Sequence, residues 1–173
     1  MKLIIGGKWS STWTMRGWLA CKLSGLPFET ETLFLSRADS KDKLAAVSLT
    51  GRIPVLITDG QRITDTWAIA EYLWERAPKS DIWPADGSAR TAARMVAGEM
   101  HGHFAELRAA IPMNLVKRWP IADGIPSNAK LLDRPGVRDQ IARVEQIWRE
   151  TRAVHGDDGP YLFGSRFTFA DAM

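Results

Sequence analysis

The segment 50–56, Thr-Gly-Arg-Ile-Pro-Val-Leu, constrains this chain more than any other stretch. A proline follows Ile53 with β-branched and apolar residues on both sides, so Pro54 stands at the entrance of a strand. Proline donates nothing to a sheet ladder, and X-Pro is the one peptide bond that takes the cis form at modest cost. Two arrangements are open. Pro54 can be an ordinary trans proline at an edge strand, or a cis bond at Ile53-Pro54 can turn the Ile53 backbone outward. In the second arrangement the N–H and C=O of Ile53 are free to pair with an extended peptide ligand, as a sheet edge does.

The flanking pattern sets this strand in an α/β unit. Lys2 to Ile5 is a short apolar run stopped by Gly6-Gly7 and reads as a buried strand. After the polar, aromatic turn Lys8 to Thr14, apolar residues recur at Met15, Trp18/Leu19, Lys22/Leu23 and Leu26, predicting a helix from Thr12 to Gly25. Phe28 to Leu35 alternates as a second strand, and Ser40 to Val47 is a short charged helix or turn. Val55 to Thr58 and Arg62 to Thr64 form a hairpin about Asp59-Gly60. Asp65-Thr66 then caps a helix from Trp67 to about Arg76. These elements make a unit over residues 1–78.

Residues 79–88 read as a linker of turn formers whose Ile82 and Trp83 dock on something apolar. Beyond it the pattern is helical. Ala89, Ala93, Val96, Met100, Phe104, Leu107 and Ile111 predict one long amphipathic helix closed by Pro112. Residues 113–132 are irregular, with Pro120 and Pro126 excluding a continuous helix, and Val137, Ile141, Val144 and Trp148 define another helix ending near His155-Gly156. Residues 89–173 thus form a second, all-helical domain.

Composition removes several classes of function. The 23 basic and 20 acidic residues are interspersed without a run, which argues against a nucleic-acid footprint despite a net charge of +3. No apolar run is long enough for a signal peptide or a membrane span. Cys21 is the only cysteine, so no intramolecular disulfide forms, which fits a reducing cytoplasm. Its place well inside the first helix marks it as a packed core thiol rather than a nucleophile. His101 and His103, two apart, fall on nearly opposite helix faces and make no zinc pair.

Four motifs in order give the chain a family resemblance: Gly-Arg-Ile-Pro-Val-Leu, the Asp65-Thr66 pair, the loop Ser10-Ser11-Thr12-Trp13-Thr14-Met15-Arg16, and Glu99-Met100-His101 with Leu107-Arg108 and Pro112-Met113-Asn114. Together they resemble the cytosolic glutathione S-transferases, with the serine loop similar to that of zeta-like and related bacterial members. The resemblance implies a thioredoxin-like first domain with a four-stranded mixed sheet and three helices, then an all-helical second domain. It also implies glutathione as substrate or cofactor, a small electrophilic second substrate, no metal, and a two-fold homodimer. A non-catalytic binding or interaction protein of the same fold is the alternative.

The chemistry follows from the residue types. A thiol of pKa about 8.5 is only about 3% thiolate at pH 7, and the thiolate is the nucleophile. Lowering that pKa by about two units takes roughly 2.7 kcal/mol of differential stabilisation, which a hydroxyl donor and a helix N-terminus can supply. Ser11, just before the first helix, is the expected donor, with Ser10 and Thr12 as alternatives because one residue of register decides which side chain faces the ligand. Through the resemblance, Ile53 and Pro54 hold the tripeptide backbone, Asp65 pairs with the γ-glutamyl α-ammonium and Thr66 donates to its α-carboxylate. Arg52 would meet the glycyl carboxylate, and Arg16 is similar to a basic residue of the zeta-like loop. Their other readings are helix caps for Asp65-Thr66, a solvated arginine for Arg52 and a structural salt bridge for Arg16.

At the far end, Thr168 to Asp171 carries a capping box that announces a helix. The resemblance implies a central helix there with more helices after it. The second domain is therefore expected to be incomplete as read, by several tens of residues.

Overall fold

A computed structural model of the chain describes residues 1–34, 39–122, 125–126 and 129–173. Four strands form one mixed sheet: β1 (Lys2–Ile5), β2 (Glu29–Thr32), β3 (Val55–Thr58) and β4 (Gln61–Ile63), in the order β2-β1-β3-β4. β1 runs parallel to β2, with Leu3 opposite Thr30, and antiparallel to β3, with Leu3 opposite Leu56. Leu3, Val55 and Leu56 are fully buried, whereas the Glu-Thr-Glu-Thr of β2 leaves charged side chains on the sheet edge, which discourages edge-to-edge pairing. The strand predicted to reach Leu35 is seen only over Glu29–Thr32, and Leu35 lies outside the described residues.

Three helices accompany this sheet: α1 (Thr12–Ser24), α2 (Ser40–Val47) and α3 (Thr66–Arg76). α1 ends where expected, with Gly25 in the left-handed region and its N–H bonded to the Lys22 carbonyl. Its inner face differs from the one predicted. Thr14, Gly17, Ala20, Cys21 and Ser24 are buried, while Trp18 is exposed. The reason is steric. α1 crosses the start of β3 so closely that a Cβ on Gly17 would lie 2.6 Å from Cγ of Pro54. Small side chains therefore face the sheet, and the large ones are displaced to the flanks.

The carboxyl-terminal part is helical: α4 (Gly87–Gly102), α5 (Ala105–Ala110), α6 (Val137–His155) and α7 (Phe169–Ala172), with a 3-10 turn at Ala129–Asp133 and a two-residue ladder of β5 (Ile121–Ala122) and β6 (Ile125–Pro126). The single long helix predicted from Ala89 to Ile111 is two helices. His103 is extended and Phe104 takes φ 69°, which drops its ring, 4% exposed, against Val144 and Ile147 of α6. Gly102 gives the helix little to lose there. Arg108 then caps the broken end, donating to the carbonyls of His103 and Met100. α6 follows its predicted range, but Ile147 replaces Trp148 on the inner face and Trp148 is exposed.

Core packing joins the two parts. Ile82 and Trp83 are buried, as expected, and Trp83 meets Phe169 of α7 edge to face at 5.5 Å. The capping box forms, with the N–H and hydroxyl of Thr168 both donating to Asp171 Oδ2. Glu71 of α3 and Arg94 of α4 add a bidentate pair at 2.8 Å. Among the described residues no helix is long and apolar enough to cross a membrane.

The approach of α1 to Pro54 makes a stability prediction. Gly17→Val should destabilise the fold by about 2 kcal/mol, because overpacking at about 1–3 kcal/mol outweighs the few tenths gained in helix propensity. Urea denaturation measures it, and an unchanged midpoint contradicts the close contact.

Candidate functional site

A cavity of about 860 Å³ opens where the starts of α1, β3 and α3 converge. Each wall comes from a local feature of the sequence. Ser11 is the N-cap of α1, in extended conformation, and its Oγ accepts from Thr14 N–H at 3.1 Å. That bond uses an oxygen lone pair, so the single hydroxyl hydrogen is left to donate toward the cavity. The first turn of α1 holds no acidic side chain, and the positive end of the helix is therefore uncompensated.

The Ile53-Pro54 bond is cis. Among the described residues neither the N–H nor the C=O of Ile53 has a hydrogen-bond partner, and Ile53 and Pro54 both line the cavity. The loop leading to them is fastened by Ser48, which sequence reasoning passed over. Its buried hydroxyl donates to the Arg52 carbonyl at 2.6 Å and accepts from the Arg52 N–H at 3.0 Å. Burial and these bonds, with a further contact to Thr50 Oγ1 at 3.4 Å, distinguish Ser48 from an ordinary helix-ending serine.

Across the cavity, Asp65 caps α3, with Oδ1 accepting from Trp67 N–H at 2.9 Å. Thr66 beside it is fully buried, and its Oγ1 has no partner. A buried hydroxyl left unmade costs about 1–3 kcal/mol, and this one belongs to a residue that lines an open cavity. Arg52 stands exposed at the rim.

The structure therefore brings Ser10, Ser11, Arg52, Ile53, Pro54, Asp65 and Thr66 to one cavity. It leaves out Thr12, the first residue of α1, and Arg16. Arg16 is 3% exposed behind Trp13, with its guanidinium 4.7 Å from the indole centroid and a bond to the main-chain oxygen of Met173. Burial, with the nearby Arg108 charge second, lowers its pKa to about 10. Its partner is thus an aromatic face and a main-chain oxygen, and the salt bridge allowed by the sequence is not among the described contacts. Burial pushes the Cys21 thiol up to about 12, in keeping with an inert core position. Among the described residues no three His, Cys, Asp or Glu side chains are grouped to hold a metal ion.

Two cavity residues escaped the sequence reading. Trp13 figures in the sequence only as part of the serine loop, and His101 only within the Glu99-Met100-His101 motif and as half of an unworkable zinc pair. His101 reaches the cavity from α4, edge-on to Trp13 with ring centroids 5.2 Å apart.

A family profile described as "Glutathione S-transferase, N-terminal domain" matches residues 10–76, the span that carries every cavity residue but Gly7 and His101. Residues 10–76 are thus similar to the amino-terminal domain of glutathione S-transferases. It is 32% identical over 95 residues to a "Probable maleylacetoacetate isomerase" of Caenorhabditis elegans, a match over 55% of this chain and 44% of that one. It is 29% identical over 176 residues to the "Maleylacetoacetate isomerase" of Pseudomonas aeruginosa, covering 99% of this chain and 76% of that one. In four of five curated relatives the matched segment spans only 40–44% of the relative's own length. The holo structure of maleyl pyruvate isomerase, described as a bacterial glutathione S-transferase in zeta class, superposes with a TM-score of 0.70 at 23% identity, covering 99% of this chain and 78% of that one. The glutathione S-transferase fold, a four-stranded mixed sheet followed by helices, extends along the whole chain.

The unpartnered hydroxyl makes a prediction about the empty protein. Thr66→Val, nearly isosteric, should leave stability unchanged or raise it by about 1 kcal/mol. A urea-derived unfolding free energy that falls by more than about 1 kcal/mol would show that Oγ1 has a partner within the fold.

Proposed function

We propose that this protein is a glutathione transferase that binds glutathione in the α1–β3–α3 cavity. It either passes the thiolate to an electrophilic carbon of a small hydrophobic substrate or uses glutathione as cofactor in a zeta-type isomerisation. What carries this reading is a convergence: a helix N-terminus with a serine hydroxyl, an unpartnered main-chain N–H and C=O, a carboxylate and an orphaned buried hydroxyl all belong to residues that line one cavity. That set matches glutathione group by group. In this reading Ile53 pairs with the cysteinyl backbone as an added strand, and Asp65 takes the α-ammonium. Thr66 donates to the α-carboxylate at the start of α3, and Arg52 meets the glycyl carboxylate.

Ser11 then donates to the sulfur while the α1 terminus adds positive potential, so the thiolate is favoured over the thiol. Attack forms a carbon–sulfur bond and expels a leaving group or opens a double bond. Ser10 and Thr12 remain the alternative donors, although Thr12 is outside the cavity lining. Arg16 acts here by supporting Trp13 rather than by touching the ligand. None of this chemistry requires a metal. The names of the relatives lend weight to the isomerase branch, since two of them are maleylacetoacetate isomerases.

The same reading divides the chain into a glutathione-binding domain over 1–78, a linker over 79–88 and a helical domain over 89–173. It places the protein in a reducing cytoplasm, where Cys21 stays a thiol, and pairs it as a two-fold homodimer. The third helix and α4, on which Met95 is 71% exposed, offer a face for that pairing.

Glutathione-agarose retention combined with a conjugation assay on an aryl halide tests the proposal. Retention with turnover supports it, retention alone turns it into the non-catalytic binding protein, and failure of both overturns it. Ser11→Ala should lower turnover at least tenfold with little change in glutathione Kd. An unchanged rate would move the donor to Ser10 or Thr12.

A further inference from the structure

Among the residues lining the cavity, His101 alone comes from beyond Thr66. Its ring sits in an aromatic cleft, 5.2 Å from Trp13 at an interplanar angle of 77° and 6.4 Å from Trp67 at 70°. Trp13 belongs to the first turn of α1 and Trp67 to the first turn of α3, so the imidazole touches both helix starts that frame the cavity. Nε2 lies 3.2 Å from Oδ2 of Asp65, and Nδ1 is buried without a partner.

Asp65 needs such a neighbour. Its side chain is 57% exposed, and one oxygen is held by the Trp67 N–H. A carboxylate held at one oxygen alone still rotates in solvent. Nε2 of His101, 3.2 Å from the other oxygen, is placed to become a second donor that fixes its plane and directs the remaining lone pairs into the cavity. The edge-on tryptophans keep the imidazole from turning away, so little rotamer entropy is lost when the contact tightens around a ligand.

We propose that His101 is a positioning residue for the γ-glutamyl end of glutathione: it holds Asp65 from the helical part of the chain so that the carboxylate meets the ligand's α-ammonium. This rests on the glutathione reading of the cavity. Affinity for the amino end of the ligand thereby depends on a side chain outside the matched 10–76 segment.

Calorimetric titration of the full chain with two ligands tests this. One is glutathione; the other is glutaryl-cysteinyl-glycine, which lacks only the α-amino group. His101→Phe keeps a ring between the tryptophans and removes the donor, whereas His101→Gln keeps a donor. For His101→Phe the glutathione Kd should rise about ten-fold, the cost of a hydrogen bond to a charged group, while His101→Gln stays within about three-fold of wild type. The amino-less ligand should bind all three proteins alike. Equal loss for both ligands would reveal a merely structural role and overturn the inference, as would undiminished glutathione binding by His101→Phe. Should His101→Phe fold poorly, His101→Gln decides: loss of glutathione binding despite its donor overturns the inference, and retained binding supports it. Wild-type protein that binds no glutathione would instead overturn the cavity reading, and this inference with it.

Discussion

The contact between Gly17 and Pro54 governs the geometry of everything near the cavity. Only a residue without a Cβ lets α1 lie on the proline at the mouth of β3. Because the helix is rigid, that one contact fixes the position of its amino terminus. Ser11 is six residues, or about 9 Å of helix, from Gly17, and it comes to rest on the same cavity as Ile53. A bulkier residue at position 17 would lift the helix and part the two groups that the proposed chemistry needs side by side.

The cavity is electrostatically one-sided. The starts of α1 and α3 both face it, and neither first turn contains an acidic residue, the Asp65 cap apart. Arg16 and Arg108, with guanidiniums 4.7 and 5.5 Å from the Trp13 ring centroid, are not among the residues that line the cavity. Arg16 is held by burial against an aromatic face and by its bond to the main-chain oxygen of Met173. In the proposed reading, main-chain dipoles and Arg52 receive the anionic groups of the ligand and Asp65 receives its ammonium. In the same reading the unmade hydroxyl of Thr66 finds its acceptor in the ligand, which offsets its cost.

What could be read in advance follows from the range of the forces involved. Asp65-Thr66, the capping box at Thr168 to Asp171 and the end of α1 at Gly25 were legible because caps act within one helical turn. The strands about Pro54 were legible because alternation and turn residues are local too. The break between α4 and α5 was not. It depends on Phe104 finding α6 and on Arg108 reaching back to two carbonyls, both determined by residues distant in the chain. The inner face of α1 was misread for a related reason. Periodicity ranks residues by apolarity, whereas close packing on Pro54 selected the smallest. Among the serine-loop residues, N-cap geometry separates Ser11 from Thr12, and cavity lining leaves Ser10 beside it. His101 was invisible as a site residue because its meaning lies in the distance to Asp65, 36 positions away in sequence and 3.2 Å away in space.

The most direct measurement is an amide-resolved NMR titration of the protein with reduced glutathione. The account predicts saturable shifts centred on the N–H of Ile53 and on the starts of α1 and α3, with those of α6 left in place. Shifts absent at saturating glutathione, or gathered instead around the separate cleft between Pro78 and Ser165, would contradict it.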